Sequence, residues 1–219
     1  MIVSEITSTD IFPLKKIDTC ESALVFMQDW KVFHLPVVDN GKLVGYVNSE
    51  DLNAVKGNLK IEKYIISNPQ LFLLKTQHLF EVVQLVAETH YTCLAVCDIE
   101  NNYQGAVSLT ELNQAFNISS LIQPGAIIVL RMNPKDYSLA ELSRVIEYND
   151  CKIVNVFVHT DVTDNTKIMV SLKLNKKAIS TVLQTLERYQ YNIYSIHQFA
   201  EQNTDVNDRY DWLIKYLHT

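Results

Sequence analysis

The chain of 219 residues is poor in glycine, with five in all. Loops that cradle phosphate in P-loop and dinucleotide-binding proteins need several closely spaced glycines. Four of the five already have places in the predicted elements and their boundaries, at Gly41, Gly45, Gly105 and Gly125. The sequence therefore excludes a phosphate-binding loop of either type.

Signatures of catalysis are also missing. There is no G-x-S-x-G elbow for a nucleophile, and the six histidines show no H-E-x-x-H spacing. The four cysteines, which form no tight pair, are Cys20, Cys93, Cys97 and Cys151. A zinc site needs a close Cys pair and a second pair of ligands. We expect reduced thiols that pack in the core, no metal, and no enzymatic activity.

Long apolar runs and a basic surface are absent as well. No apolar stretch approaches the ~20 residues that cross a bilayer, and the start of the chain lacks the features of a signal peptide. The formal net charge is −6, whereas binding to nucleic acid requires clustered basic residues. We expect a cytoplasmic protein that binds neither membrane nor nucleic acid.

The sequence does contain an internal repeat, which strongly constrains the fold. Residues 34–52 recur in altered form at 93–112, with a separation of 59 that becomes 60 after the hairpin. With the residues before it, each copy predicts a strand (11–14 and 70–73), a helix, two strands joined by a hairpin, and a second helix. The first helix follows a cap at Asp18 or Thr19 in the first copy and spans Leu79–Thr89 in the second. In the first copy the hairpin turn is Asn40-Gly41, a sequence suited to positive φ at both positions.

Beyond residue 117 the pattern changes. Ser119-Ser120 and Pro124-Gly125 interrupt it, and the following elements read β-α-β-β-α-β, which is a ferredoxin-like order. The predicted segments are a first repeat (1–58), a second repeat (59–117), a linker (118–125) and a second domain (126–200). The last segment (201–219) is a polar linker with an amphipathic helix over 209–217. The fold class is therefore α+β or α/β.

The first copy carries Phe33-His34-Leu35-Pro36, followed by Gly45-Tyr46-Val47 and then the polar step Asn48-Ser49-Glu50-Asp51. The second keeps Gly105-Ala106-Val107-Ser108-Leu109-Thr110-Glu111, but has Ala95 at the position of the proline. These motifs resemble a tandem pair of CBS domains (a Bateman module). Residues 126–200 resemble an ACT domain, and the combined order is similar to that of acetoin utilisation protein B-like proteins.

The CBS resemblance implies a site for AMP, ADP, ATP or S-adenosylmethionine, with no permanent cofactor. A strand that leads into a helix N-terminus favours a bound anion. The implied residues of the first site are Asp51 for ribose, Asn48 at the hydroxyl position, and Phe33, His34, Leu35 and Pro36 around adenine. Those of the second site are Ser108 and Glu111, whose carboxylate is one methylene longer than usual.

Each of these residues also has a structural interpretation. Asn48 and Ser108 are common helix caps, an acid in a first turn is favoured by the helix dipole, and His34 suits a half-buried strand. Lys15, Lys16 and Lys75 are placed either to meet phosphates or to lie in solvent. The ACT resemblance implies a glycine where Tyr137 stands and another where Asp150 stands. That departure favours dimerisation over amino-acid sensing.

Two functions follow from these patterns. The first is a regulatory sensor, in which a homodimer binds an adenosyl ligand in the CBS pair and relays this through the ACT-like domain to a protein target. The alternative is a structural adaptor whose degenerate sites bind nothing.

Overall fold

The computed structural model describes residues 1–55, 59–117 and 123–198. It divides the chain into two units, Met1–Ile118 and Ser119–Thr219. The helix predicted over 209–217 lies outside the described residues. Within the described ranges, none of the helices combines the length and the apolar composition that crossing a bilayer requires.

The N-terminal unit contains two runs of elements in the same order. The elements of the first are α1 Cys20–Asp29, β1 His34–Asp39, β2 Lys42–Asn48 and α2 Ser49–Asn53. Those of the second are β3 Leu73–Leu74, α3 Leu79–Thr89, β4 Cys93–Cys97, β5 Tyr103–Ser108 and α4 Leu109–Asn117. The structure thus repeats the helix–hairpin–helix order that the sequence predicts.

Local signals explain several boundaries. The Thr19 side chain accepts a hydrogen bond from the backbone N–H of Ser22 and so caps α1. Asn40 and Gly41 both have positive φ, of 50° and 80°. That is the backbone of a two-residue hairpin whose twist matches its strands. The predicted helix over Leu79–Thr89 has its observed bounds.

The strand predicted over residues 11–14 is wrong in extent. Only Leu14 pairs, in a parallel bridge with Val37, and its N–H donates to the carbonyl of Pro36 at 2.9 Å. The carbonyl of Leu14 accepts the N–H of Val38 at 2.8 Å, so both backbone groups of Leu14 bond to β1 and the pairing is confined to this one residue. The corresponding prediction over 70–73 is reduced to β3, whose residues pair in parallel with Val96 and Cys97.

The two halves of this unit complete each other's cores. Leu43 and Tyr46, from the first β-hairpin, lie in the core around Leu94. In return, Cys93 and Ala106 lie in the core of the first half. Neither half buries its apolar surface alone, so we expect the two to fold together.

The C-terminal unit has the order β-α-β-β-α-β. Its elements are β6 Ala126–Met132, α5 Leu139–Glu147, β7 Ile153–Thr160, β8 Ile168–Leu174, α6 Ser180–Arg188 and β9 Ile193–Gln198. All four strands are antiparallel, in the order β7-β8-β6-β9. Alternate residues of β6 are buried, and they share a core with apolar residues of both helices. Membership of the ACT family stays a prediction.

Tyr137 and Asp150 occupy the two positions at which the ACT resemblance implies glycine. Tyr137 is partly buried and packs against the core. Asp150 has a φ of 52°, a backbone conformation that glycine adopts without strain. Its carboxylate forms an ion pair with Lys176, with Nζ to Oδ2 at 2.6 Å. The backbone therefore retains the glycine-like conformation although the residue differs.

Asp161 makes the stability of this unit depend on pH. The backbone N–H and the hydroxyl of Thr163 donate to its carboxylate, and Arg131 Nε lies 2.6 Å from Oδ2. These contacts, those of Thr163 first, lower the pKa of Asp161 from 3.8 to about 2. A depressed carboxyl pKa contributes stability above the ordinary value, and this contribution is lost as the pH falls through the folded value.

We therefore expect Asp161→Asn to lower the Tm of this unit at pH 5 and above. The difference in Tm between the wild type and the variant should become smaller as the pH falls from about 4 to about 2. Thermal unfolding followed by circular dichroism over this range tests it. A difference that stays constant down to pH 2 would contradict the assignment.

Candidate functional site

The first candidate site is built on the start of α2. Asn48 is the N-cap residue, and its Oδ1 accepts the backbone N–H of Asp51 at 2.7 Å. Its Nδ2 donates to Asp51 Oδ2 at 2.8 Å. The capping role considered for Asn48 is therefore observed. Asp51 itself is exposed, so this arrangement orients a carboxylate toward solvent in the first turn of the helix.

The start of β1 lies beside this helix. The N–H of Ser49 donates to the carbonyl of Phe33 at 2.9 Å, which fixes the distance between strand and helix. The Phe33 side chain is 64 % exposed, whereas Leu35 is buried, as is Pro36. Of the three apolar residues predicted to surround adenine, only Phe33 offers an open ring face.

His34 is half-buried and contacts the second repeat. Its ring stacks on that of Tyr91 with a centroid separation of 4.5 Å. Burial lowers the pKa of His34, while the charge of Glu50 acts in the opposite direction. The imidazole is thus neutral at neutral pH, and it forms part of the contact between the repeats.

Thr92 is a residue of this region that sequence reasoning missed. Its Oγ1 accepts hydrogen bonds from the backbone N–H groups of Phe33, at 2.8 Å, and His34, at 3.1 Å. The repeat separation of 59 makes Thr92 the counterpart of Phe33, but equivalence in the repeat does not predict a hydrogen bond between the two residues.

The second candidate site is closed by its own side chains. Ser108 is 2 % exposed, and its N–H donates to Glu111 Oε2 at 2.9 Å. Its hydroxyl donates to the same oxygen and accepts the N–H of Thr110 at 3.0 Å. The longer side chain of Glu111 folds back onto the helix start as in a capping box. An internal carboxylate therefore occupies the donors that an anion would use.

Two lysines considered as phosphate ligands are engaged elsewhere. Lys16 Nζ lies 2.7 Å from Asp39 Oδ2. Asp39 ends β1, five residues beyond His34, or about 16 Å away along a strand. Lys75 Nζ donates to Gln104 Oε1 at 3.4 Å, near the start of β5, whereas Ser108 is at its end. Both lysines therefore lie far along their strands from the candidate sites.

The described part of the chain indicates neither a metal site nor a reactive thiol. In the ranges that the structure describes, no group of three or more His, Cys, Asp or Glu side chains could hold a metal ion. The four cysteines are buried. Burial raises the pKa of Cys93, and it raises that of Cys97 to about 12. Such thiols are protonated at neutral pH and therefore unreactive.

Residues 3–56 match the model of the CBS domain family. The matched range lies in the N-terminal unit and includes the start of β1 as well as Asn48 and Asp51. The residues of the first candidate site therefore lie within the part of the chain that is similar to a CBS domain.

Similar proteins cover parts of the chain. An uncharacterized protein of Methanocaldococcus jannaschii is 26% identical over 107 residues, which are 48% of this chain and 40% of that protein. Inosine-5'-monophosphate dehydrogenase of the same organism is 26% identical over 109 residues, 49% of this chain and 22% of the enzyme. The chain thus spans less than half the length of these relatives.

Among solved structures, a CBS domain pair/ACT domain protein of Thermotoga maritima is 25% identical. The match covers 53% of this chain and 97% of that one, with a TM-score of 0.48.

Proposed function

We propose that the N-terminal unit is a regulatory module that binds an adenine nucleotide or an adenosyl metabolite at the first repeat. The observation that carries this proposal is the exposed carboxylate of Asp51, held by Asn48 at the start of a helix within the part of the chain that is similar to a CBS domain. AMP, ADP, ATP and S-adenosylmethionine are the candidate ligands.

The chemistry of the first site suits such a ligand. A carboxylate accepts hydrogen bonds from both hydroxyls of a ribose, and charge-assisted bonds of this kind are stronger than neutral ones. The exposed ring of Phe33 offers an apolar face for a planar base. Ribose recognition at Asp51 and base packing at Phe33 together favour an adenosine-containing molecule.

The second repeat differs in a way that favours one ligand per chain. The donors of Ser108 are already used by Glu111, whereas Asp51 is oriented by a side chain and remains exposed. A ligand at the second site would have to displace an internal carboxylate first. We therefore assign ligand binding to the first site.

Regulation requires that the bound state be communicated. In this proposal the ligand shifts the population between two arrangements of the repeats, and the C-terminal unit relays the change or dimerises. Because Tyr137 packs into the core where an ACT ligand pocket would need space, dimerisation is the role we favour for that unit. The homodimer, the protein target and the cytoplasmic location are parts of the proposal.

The central prediction concerns Asp51→Ala. This substitution removes the proposed ribose ligand but keeps the cap of α2, because Asn48 bonds the backbone N–H of residue 51. Hydrogen bonds to a charged group contribute about 1.5–3 kcal/mol, so affinity should fall about 10- to 100-fold. Calorimetric titration of the wild type and the variant with each of the four ligands measures it.

Glu62→Ala is a matched control, since Glu62 is also an exposed acid in the first turn of a short helix, Ile61–Tyr64. Its charge acts on Lys16, which is paired with Asp39, so affinity should not change. Thermal shift provides a second measurement, because ligand at ~100 times its Kd stabilises by roughly 2.7 kcal/mol. No shift with any of the four at millimolar concentration would reject the sensor function.

One observation favours the alternative of an adaptor. Phe12, Phe26 and Trp30 form a cluster of rings with centroid separations of 6.4 and 5.6 Å. Phe12 is 67% exposed and Phe26 is 40% exposed. An exposed aromatic cluster is typical of a protein–protein contact. If no adenosyl ligand binds, this cluster becomes the first place to substitute in a search for a partner.

A further inference from the structure

The starts of α2 and α4 are held by equivalent backbone hydrogen bonds. The N–H of Ser49 donates to the carbonyl of Phe33 at 2.9 Å, and the N–H of Leu109 donates to the carbonyl of Thr92 at 3.1 Å. Ser49 and Leu109 are equivalent in the repeat, as are Phe33 and Thr92. Each helix start therefore takes its position from the residue that precedes a strand of its own repeat.

The side chains at these equivalent positions make the arrangement asymmetric. Thr92 has a hydroxyl, and it accepts the N–H groups of Phe33 and His34. Phe33 has no polar side-chain atom with which to do the same for Thr92. The first repeat thus depends on a side chain of the second at this point.

The imidazole of His34 adds a further contact to the same threonine. His34 Nδ1 lies 3.3 Å from Thr92 Oγ1, and 3.4 Å from the backbone nitrogen of Thr92. The stacking on Tyr91 fixes the plane of the ring. Backbone and side chain of the first repeat are therefore both held by residues 91 and 92.

We propose that Thr92 is a positioning residue for the adenosyl site of the first repeat, an inference that rests on the function proposed above. It holds the backbone of Phe33, the carbonyl of Phe33 holds Ser49, and the helix that begins there presents Asn48 and Asp51. The site is in this sense composite. Its ligand contacts come from the first repeat, while their geometry depends on the second.

Removing the hydroxyl leaves the backbone N–H groups of Phe33 and His34 without their acceptor, which is unfavourable. The start of β1 can then move to regain a partner, and the carbonyl of Phe33 moves with it. A small displacement of the groups that contact a ligand weakens binding substantially. We expect Thr92→Val to lower the affinity for the bound ligand about tenfold.

Two variants separate this role from simple packing. Thr92→Val keeps the volume and removes the acceptor, whereas Thr92→Ser keeps the acceptor and removes the methyl group. A positioning role predicts that T92V weakens binding about tenfold and that T92S binds within about twofold of the wild type. A packing role predicts the opposite order. Thr92→Ala, which also removes the acceptor, should weaken binding as T92V does and decides the question if T92V does not fold.

The probes are AMP, ADP, ATP and S-adenosylmethionine, titrated by calorimetry into the chain of 219 residues. If the wild type binds a probe and T92V binds it equally well, the positioning role is rejected and the proposed function stands. If the wild type binds none of the four, the proposed function and this inference both fail. Weakening by T92V with rescue by T92S supports both.

Discussion

Replacement of Gly45 by alanine should destabilise the N-terminal unit by about 3 kcal/mol or more. A Cβ at this position would lie 2.2 Å from the backbone oxygen of Ile66, and Gly45 has a φ of +155°. Crowding of a packed interior costs about 1–3 kcal/mol. The obstacle is backbone, so it cannot move aside as a flexible side chain would.

The segment in contact with Gly45 is itself part of the fold. The N–H of Tyr46 donates to the carbonyl of Ile66 at 3.1 Å, and the N–H of Ile66 donates to that of Tyr46 at 2.8 Å. Separating the two segments to admit a methyl group would lengthen both bonds, each contributing about 1 kcal/mol. The total effect therefore exceeds the steric term alone.

Gly41→Ala is the matched control. Gly41 has a φ of +80°, and a Cβ there would meet nothing within 4 Å, so only the backbone term of about 1–2 kcal/mol applies. Urea unfolding of the two variants can be followed by the fluorescence of Trp30, with Trp212 replaced by phenylalanine. Equal destabilisation by the two substitutions would show that the approach of Ile66 does not restrict residue 45.

The sequence predicts elements well where a signal is local. The cap at Thr19, the turn at Asn40-Gly41 and the helix Leu79–Thr89 each depend on neighbouring residues, and each is observed. The pairing of the segment before each hairpin is not predicted from the sequence. Ser8 pairs with Ala106, and Ile66 pairs with Tyr46. These pairings, distant in sequence, give no periodic pattern that would identify the partner.

In the candidate site, too, the sequence predicts the local features but not the contacts between residues distant in sequence. The order of strand and helix, and the roles of Asn48 and Ser108 at helix starts, follow from the repeat. The contribution of Thr92 to the first site does not, because it crosses between copies. The sequence indicates only that the carboxylate of Glu111 is one methylene longer than usual. Its hydrogen bond with Ser108 depends on the conformation of the side chain, which the sequence does not give.

Ala95 is the clearest case of a residue whose sequence interpretation changes. As the counterpart of Pro36, it indicates a degenerate ligand site. In the structure Pro36 pairs with Tyr46, whose backbone groups bond Ile66, so the absent N–H of the proline costs no ladder bond. Ala95 pairs with Ala106, whose backbone groups bond Ser8. The N–H of Ala95 is therefore available, and it donates to the hydroxyl of Tyr46 at 3.1 Å.

Tyr46→Phe should accordingly destabilise the N-terminal unit by about 3 kcal/mol. The hydroxyl of this fully buried tyrosine donates to the carbonyl of Leu71 at 2.5 Å and accepts the N–H of Ala95. Phenylalanine would leave both backbone groups without this partner in the interior, at about 1–3 kcal/mol each. Urea unfolding followed by Trp30 fluorescence measures the effect.

Tyr103→Phe provides the comparison, because the Tyr103 hydroxyl makes one hydrogen bond, to the carbonyl of Ile11 at 2.8 Å, in a partly buried position. Its loss should cost only about 1 kcal/mol. Similar effects for the two substitutions would contradict the bridging role of Tyr46.

Ala95→Pro then tests whether the changed residue serves the contact between the repeats. A proline at position 95 lacks the N–H that the Tyr46 hydroxyl accepts. Ala95→Pro should therefore lower the free energy of unfolding more in the wild type than in the Tyr46→Phe variant. The difference, taken from a double-mutant cycle, should be about 1 kcal/mol or more. A coupling near zero would mean that Ala95 and Tyr46 act independently. A clear coupling would mean that the N–H of Ala95, which a proline lacks, contributes a hydrogen bond that joins the second repeat to the first.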